Sequence, residues 1–282
     1  MEFYFLGPLT IRSGATSVYL SGERSQKLFA ALLLNSNQPV SVERLIDVVW
    51  DHRPPGTARQ QIQNRLGRLR ALLLTGGQRI TRTGNSYALE VSEKQIDGLR
   101  FRQLCTQAEQ ARCAGQLDRA ASLLHAGLTL WRGSTIQGID SPALRGDIVR
   151  WEEARLRAIE AVVAVEFSRQ RHSAMTTDLY SWVQHYPYHE GLHCSLAEAL
   201  HAGSRTAEAV HVLHQLKLRL ARELGINAGT GVHGLHRRLL GADVAEADES
   251  AQLKRQAAEA IHRALTETTQ ALKVLSNAIA SY

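Results

Sequence analysis

The sequence predicts a mainly α protein: an N-terminal α+β winged helix-turn-helix over residues 1–95, an all-α tetratricopeptide-like module over 96–241, and an amphipathic helical extension over 242–282. Three observations predict it. The first 95 residues alternate short β-prone runs with three segments of helical period, whereas beyond them strand signals all but vanish. Through that second stretch leucine and alanine recur at helical spacing, interrupted at Gly115, Gly203 and Gly225. A chain of 282 residues also suits two cores better than one.

The elements follow in order. Glu2 to Leu6, Leu9 to Arg12 and Ser17 to Leu20 are short strands punctuated by Gly7-Pro8 and Ser13-Gly14, the pattern of a small antiparallel sheet. Glu23 to Asn35 is a helix with Leu28, Ala31, Leu32 and Asn35 at helical spacing, stopping in the polar run that ends at Pro39. Ser41 caps a second helix whose Val42, Leu45, Ile46 and Val49 fall on one face, with Glu43 near its positive end and Trp50 closing it. Pro54-Pro55-Gly56 enforces a break, and Thr57-x-x-Gln60 is a capping-box pattern opening a third helix to about Leu74. Gln78 to Thr81 and Ser86 to Val91 then flank Arg82-Thr83-Gly84-Asn85 as a hairpin with a basic tip.

Charge is unevenly distributed. Residues 1–95 hold twelve Lys and Arg against seven Asp and Glu, a balance of +5, while the remainder balances at +1. From His52 to Leu89 there are seven arginines and no carboxylate. Such a stretch seeks an anion, and the phosphate backbone of a nucleic acid matches the guanidinium fork; a solvated basic face is the alternative.

Helical geometry makes the third helix decisive. Ala58, Ile62, Leu66, Leu69 and Leu73 form its core stripe. The outward face then carries Gln60, Asn64 and Arg68, flanked by Arg59, Gln63, Arg65 and Arg70, with no acidic residue among them. Asn and Gln can pair bidentately with adenine and Arg with guanine, and a helix of this width enters a major groove. Arg79, Arg82, Thr83 and Asn85 would anchor the hairpin on the backbone of double-stranded DNA. Gly67 on the outward side fits either a close backbone approach to DNA or an unimportant surface glycine, and Gln60 serves either DNA or the helix cap.

Leu45-x-x-x-x-Trp50 leading to Pro54-Pro55, then Ile62-Gln63-x-x-x-x-Arg68-Leu69-Arg70 and the Ser86-Tyr87-x-Leu89 hairpin, resemble the Streptomyces antibiotic regulatory protein (SARP) family. The DNA-binding domain of that family is similar to the winged-helix output domain of bacterial response regulators. Ile96-Asp97-x-x-x-Phe101 looks like the opening of its bacterial transcriptional activation domain, and Leu130-Trp131-Arg132-Gly133, Tyr186-Pro187-x-x-Glu190 and Glu223-Leu224-Gly225 continue the resemblance to about residue 240. Arg65, Gly67 and Ser86 depart from the family pattern on the DNA-facing side. The resemblance implies a pathway-specific activator of a secondary-metabolite (antibiotic) gene cluster, with protomers side by side or as a homodimer on direct repeats. It also implies recruitment of RNA polymerase holoenzyme, including its sigma factor, through the turn Asp51 to Gly56, with Asp51, His52 and Arg53 in contact.

Leu104 to Leu128 around Gly115 and Leu196 to Leu213 around Gly203 resemble tetratricopeptide units, which bury one face only by stacking and offer a grooved surface to partners. A protein-interaction adaptor without specific DNA binding is therefore the alternative from another class. Residues 246–282 repeat apolar positions at three- and four-residue steps, a long helix that packs back on the module or pairs between chains. Cys105, Cys113 and Cys194 are an odd set without a CxxC pair, which points to buried thiols in a reducing compartment. No apolar stretch is long enough for a membrane span and no signal-peptide layout opens the chain, so a cytoplasmic, nucleoid-associated protein is expected. His189-Glu190-x-x-His193 matches the zinc-protease pattern but lacks a third ligand at familiar spacing, and no GxxxxGK(S/T) phosphate loop occurs. The expectation is accordingly of no enzyme, metal or cofactor.

Overall fold

The computed structural model describes residues 1–51, 53–74 and 79–241. His52, Gln78 and the extension expected over 242–282 lie outside the described residues. Two compact units divide between Gln170 and Arg171, so the segment from Ile96 to Gln170 packs with the N-terminal winged helix.

The first unit opens with an antiparallel sheet, β1 (Glu2–Tyr4), β2 (Thr10–Ser13) and β3 (Thr16–Val18), with Phe3 opposite Ile11 and Ile11 opposite Val18. Gly14, at φ +60°, supplies the positive φ that a two-residue hairpin turn requires. Helices α1 (Glu23–Leu34), α2 (Val42–Trp50) and α3 (Ala58–Leu74) follow close to their expected bounds. Ser41 caps α2, its Oγ accepting from the Arg44 amide at 3.1 Å. The expected stripe of α3 is the core: Ala58, Ile62, Leu66, Leu69 and Leu73 are all buried. A second sheet has the order β4 (Val40–Ser41), β6 (Ser86–Glu90), β5 (Arg79–Thr83). The hairpin was expected and β4 was not, because two residues are too few to show alternation.

Beyond the hairpin, α4 (Asp97–Cys113), α5 (Leu117–Leu128) and the 24-residue α6 (Arg145–Ser168) complete the unit. Their junction with the sheet is built on Asp97. Its carboxylate accepts from the Phe5 and Leu6 amides at 3.0 Å and from the Gly98 amide at 2.8 Å, with Arg132 at 3.5 Å. Burial pushes this carboxyl above the usual carboxylate range, against the pull of the backbone donors and of Arg132. The connection before α6 then runs along the same strand end: the amides of Arg132, Ile136 and Gln137 donate to the carbonyls of Leu6, Phe5 and Gly7 at 2.7–3.0 Å. Phe5 meets Trp151 edge-on at 4.9 Å, and Trp151 Nε1 donates to the Leu34 carbonyl at 3.4 Å. Gly98 is required by that packing, since a Cβ there would fall 2.2 Å from the Phe5 ring.

The second unit contains α7 (Thr176–His185), α8 (Glu190–Ala202), α9 (Thr206–Arg219) and α10 (Thr230–Leu239). Helices α8 and α9 form an antiparallel pair about Gly203, as expected of a tetratricopeptide-like unit, and bury Leu196, Leu200, Leu213 and Leu216. One expectation fails: Cys113 is exposed in the last turn of α4, while Cys105 and Cys194 are only half-buried. Its position on the outer side of an amphipathic helix decides this, not the apolar character of the thiol.

Replacing Asp97 by Ala should lower unfolding stability by about 3 kcal/mol or more, because it strands three buried N–H donors. Asp97→Asn, which keeps one acceptor oxygen, should lose less. Urea titration of both variants checks this, and a loss under about 1 kcal/mol for Asp97→Ala would contradict it.

Candidate nucleic-acid interface

The Pro54-Pro55-Gly56 break and the α3 core stripe together set which side chains face out. Pro55 receives the Ala58 amide at 2.9 Å, and Thr57 Oγ1 accepts from Gln61 Nε2 at 3.1 Å. The Gln60 amide is not on the cap, as the capping-box pattern allowed, but donates to Asn64 Oδ1 at 3.2 Å one turn along the helix. Gln60, Asn64, Gly67 and Arg68 are exposed and Gln63 is half-buried. Arg68 has no hydrogen-bond partner among the described residues, and no neighbour lies within 4 Å of a Cβ built at Gly67.

The remaining arginines divide by their partners. Arg65 reaches Ser25 Oγ at 3.1 Å, at the start of α1, while its Nε is buried without a partner. Burial, then the like charges of Arg24 and Arg68, push this guanidinium below its ordinary value. Three clustered guanidinium groups with no carboxylate partner among the described residues make a ready site for an anion. Arg70 is otherwise engaged: its Nε donates to the Ile80 carbonyl at 2.9 Å and its guanidinium lies over the Tyr87 ring, fastening α3 to the hairpin. Arg82 donates to the Gly84 carbonyl at 3.0 Å and also lies over Tyr87, so the hairpin tip is held with its charge outward. Arg79, Thr83 and Asn85 are exposed.

Glu43 is the residue the sequence reading missed here. From the first turn of α2 its carboxylate takes Arg59 Nη2 at 2.7 Å and Asn85 Nδ2 at 2.8 Å, while Arg59 Nη1 donates to Asn85 Oδ1 at 2.7 Å. The Asn85 hydrogen bond is the main cause that holds this carboxyl below the usual range, with its own backbone amide and Arg59 adding to it. No spacing signal joins residues 43, 59 and 85. The β4 to β6 pairing, Ser41 opposite Ser86, and the Val42 amide on the Asn85 carbonyl at 2.9 Å bring Glu43 to Asn85, and α3 presents Arg59 to both.

Residues 96–240, just over half of the chain, match the family described as Bacterial transcriptional activator domain. The chain belongs to that family. Its relatives place it among the SARP regulators. "Regulatory protein AfsR" of Streptomyces coelicolor is 31% identical over 89% of this chain, which spans only 25% of that protein's length. "Regulatory protein DnrI" of Streptomyces peucetius is 27% identical over 86% of the chain and 93% of its own length. The solved structure of Mycobacterium tuberculosis EmbR in complex with a low affinity phosphopeptide superposes with a TM-score of 0.77 at 28% identity, covering 86% of this chain and 65% of that one.

In this SARP-family chain the sequence landmarks turn out to be structural. Asp97 and the Trp131-Arg132 segment build the junction described above, and Glu190 accepts from the Gly229 amide at 2.8 Å ahead of α10. His189 Nδ1 caps α8 by accepting from the Leu192 amide at 3.2 Å, and His193 Nδ1 lies 3.1 Å from the His189 carbonyl, so each member of the zinc-protease-like triplet has a structural contact. Among the described residues no cluster of three or more His, Cys, Asp or Glu could hold a metal ion, and no helix is long and apolar enough to cross a membrane. In the turn assigned to polymerase by resemblance, Asp51 adopts φ +45°, with its carboxylate 3.4 Å from both Lys27 Nζ and Ser141 Oγ, while Arg53 is exposed.

His193 titrates in a telling way. Burial holds its imidazole below the ordinary value, and Arg219 and His189 push in the same direction. A folded-state value lower than the unfolded one means that stability is full above about pH 6.5 and falls as the pH drops through that value toward the lowered one. Urea midpoints at pH 7.5 and 5.5 should therefore fall with acid, and His193→Gln should flatten the drop. An equal drop in the variant would assign it to other groups.

Proposed function

We propose that this SARP-family regulator is a sequence-specific DNA-binding transcriptional activator of a secondary-metabolite gene cluster. Helix α3 enters the major groove with Arg59, Gln63, Asn64 and Arg68 at bases or adjacent phosphates, and the hairpin tip, Arg82 to Asn85, rests on the backbone. The observation that carries this reading is the outward face of α3, where the exposed amides of Gln60 and Asn64 stand beside Arg68, which has no partner among the described residues and clusters with Arg24 and Arg65. Gly67 on the same face leaves open space for a phosphate backbone to approach. Arg70 supports the reading as the fastener of the hairpin to α3, not as a free contact. Protomers bind direct repeats upstream of promoters in the bacterial cytoplasm, at the nucleoid. RNA polymerase holoenzyme, with its sigma factor, docks at the turn holding Asp51, His52 and Arg53, of which Arg53 is exposed. The chain spans a quarter of the length of the AfsR relatives, so this reading concerns the part of such proteins that it matches.

Gel-shift titration of the full chain against genomic fragments carrying direct repeats, at several salt concentrations, tests the proposal. A preferred fragment with a steep salt dependence is expected. Equal, weak binding to every fragment would leave the helical repeats to act as a protein-interaction adaptor.

Asn64→Ala or Arg68→Ala should change the preference among operator variants by about 1–3 kcal/mol, whereas Arg82→Ala should weaken all duplexes alike. Uniform losses for Asn64→Ala would remove it from base reading. Glu43→Gln should do the reverse of Arg82→Ala. It removes a negative charge from the face and loosens Arg59 and Asn85, raising affinity for every duplex severalfold at low salt, by an amount that shrinks as salt is added.

A further inference from the structure

The first unit holds a cleft of about 380 Å³ between α4, α5 and α6, within the size range of small-molecule sites. Its floor is apolar, built by Phe101, Ala108, Leu124, Ala154 and Ala158, and its rim carries four arginines against a single carboxylate. The rim charges are not equivalent. Glu109 clamps Arg112 through two bonds of 2.6 and 2.8 Å, and Arg150 is held by Asp147 and Asn35. Arg102 and Arg157 are left with no carboxylate partner among the described residues. Arg102 stacks on the Trp151 ring with its guanidinium carbon 3.9 Å from the ring centroid, and its position is fixed by that contact.

We infer that this cleft binds a small amphipathic organic anion, with its apolar body on the alanine-lined floor and its carboxylate or sulfonate at the rim that carries Arg102 and Arg157. The charge pattern selects this occupant. A neutral apolar ligand would leave two guanidinium groups half-desolvated, and a simple inorganic anion would leave the apolar floor wet. Burial and the like charge of Arg150 already press Arg102 below its ordinary value, and the negative charge of a bound anion offsets both. Trp151 is shared: the ring under Arg102 is the one that packs on Phe5 and bonds to the Leu34 carbonyl. Occupancy of the cleft therefore stiffens the junction that carries the winged helix, which makes the site a route for a chemical signal.

A matched pair of probes tests this on the full chain: 8-anilinonaphthalene-1-sulfonate, and N-phenyl-1-naphthylamine, which lacks the sulfonate. The sulfonate should bind at one site per chain, at least tenfold tighter than the neutral probe. Arg157→Gln, and the Arg102→Gln/Arg157→Gln pair, should remove that advantage while leaving the neutral probe unchanged. 2-Naphthoate should displace the sulfonate and 2-naphthamide should not. Cys105 lines the cleft, its thiol pushed up to about 11 by burial, so saturating sulfonate should slow its alkylation while the exposed Cys113 keeps its rate. Equal affinity for the two probes, an unaltered Arg157→Gln variant, or alkylation of Cys105 at an unchanged rate would overturn the assignment. Displacement by an acidic peptide but by no small carboxylate would overturn it in favour of a protein partner.

Discussion

One buried carboxylate organises the N-terminal 170 residues. Asp97 stands at the first position of α4, where the helix dipole and three backbone amides favour its charge, and two of those amides belong to the strand end at Phe5 and Leu6. Without it the chain just past β1 would be left with unsatisfied buried donors, and the Phe3–Ile96 bridge and the Gly98–Phe5 contact would be left to hold the start of α4. The same junction holds the backbone bonds from Arg132 to Gln137 and the Phe5–Trp151 edge contact, and the Ser141 hydroxyl on the Val48 carbonyl adds a further tie to α2. Burying one charge is tolerable because nearly all of its acceptor capacity is used.

This explains why the division by packing falls at 170/171, while the residue types change at 95/96. Secondary-structure period changes at residue 96, so local pattern marks a change of architecture there. Packing is a matter of long-range pairing, and the residues responsible, Asp97, Arg132 and Trp151, are single positions without periodicity. The helices themselves were legible because each buries a stripe at 3.6-residue spacing; the five expected core residues of α3 are all buried. Strand β4 was not, since two residues carry no alternation, yet it is the strand that aligns α2 with the hairpin.

The candidate interface was legible in the same selective way. Absence of acidic residues between His52 and Leu89 identified the face, but it could not separate arginines that point outward from those that hold the face together. Arg70 bonds to a backbone carbonyl and covers Tyr87, while Arg68, two positions earlier and on the opposite side of the helix, is unpartnered among the described residues. Counting carboxylates along the chain also overlooked Glu43, which reaches the face from a neighbouring helix.

Glu43 closes a network on the face. Arg59 and Asn85 satisfy one another and Glu43 at the surface. Exposed ion pairs are worth little to stability, and such a network yields readily when a phosphate offers a competing charge. The buried fasteners, Arg70 on Ile80 and Asp97 on Phe5 and Leu6, do not yield, because breaking them leaves polar groups unsatisfied out of water. The unit thus combines a rigid frame with an exchangeable surface. A polyanion can rearrange the side chains it meets without disturbing the backbone that presents them, and the same frame extends from the hairpin through Trp151 to the arginine-rimmed cleft.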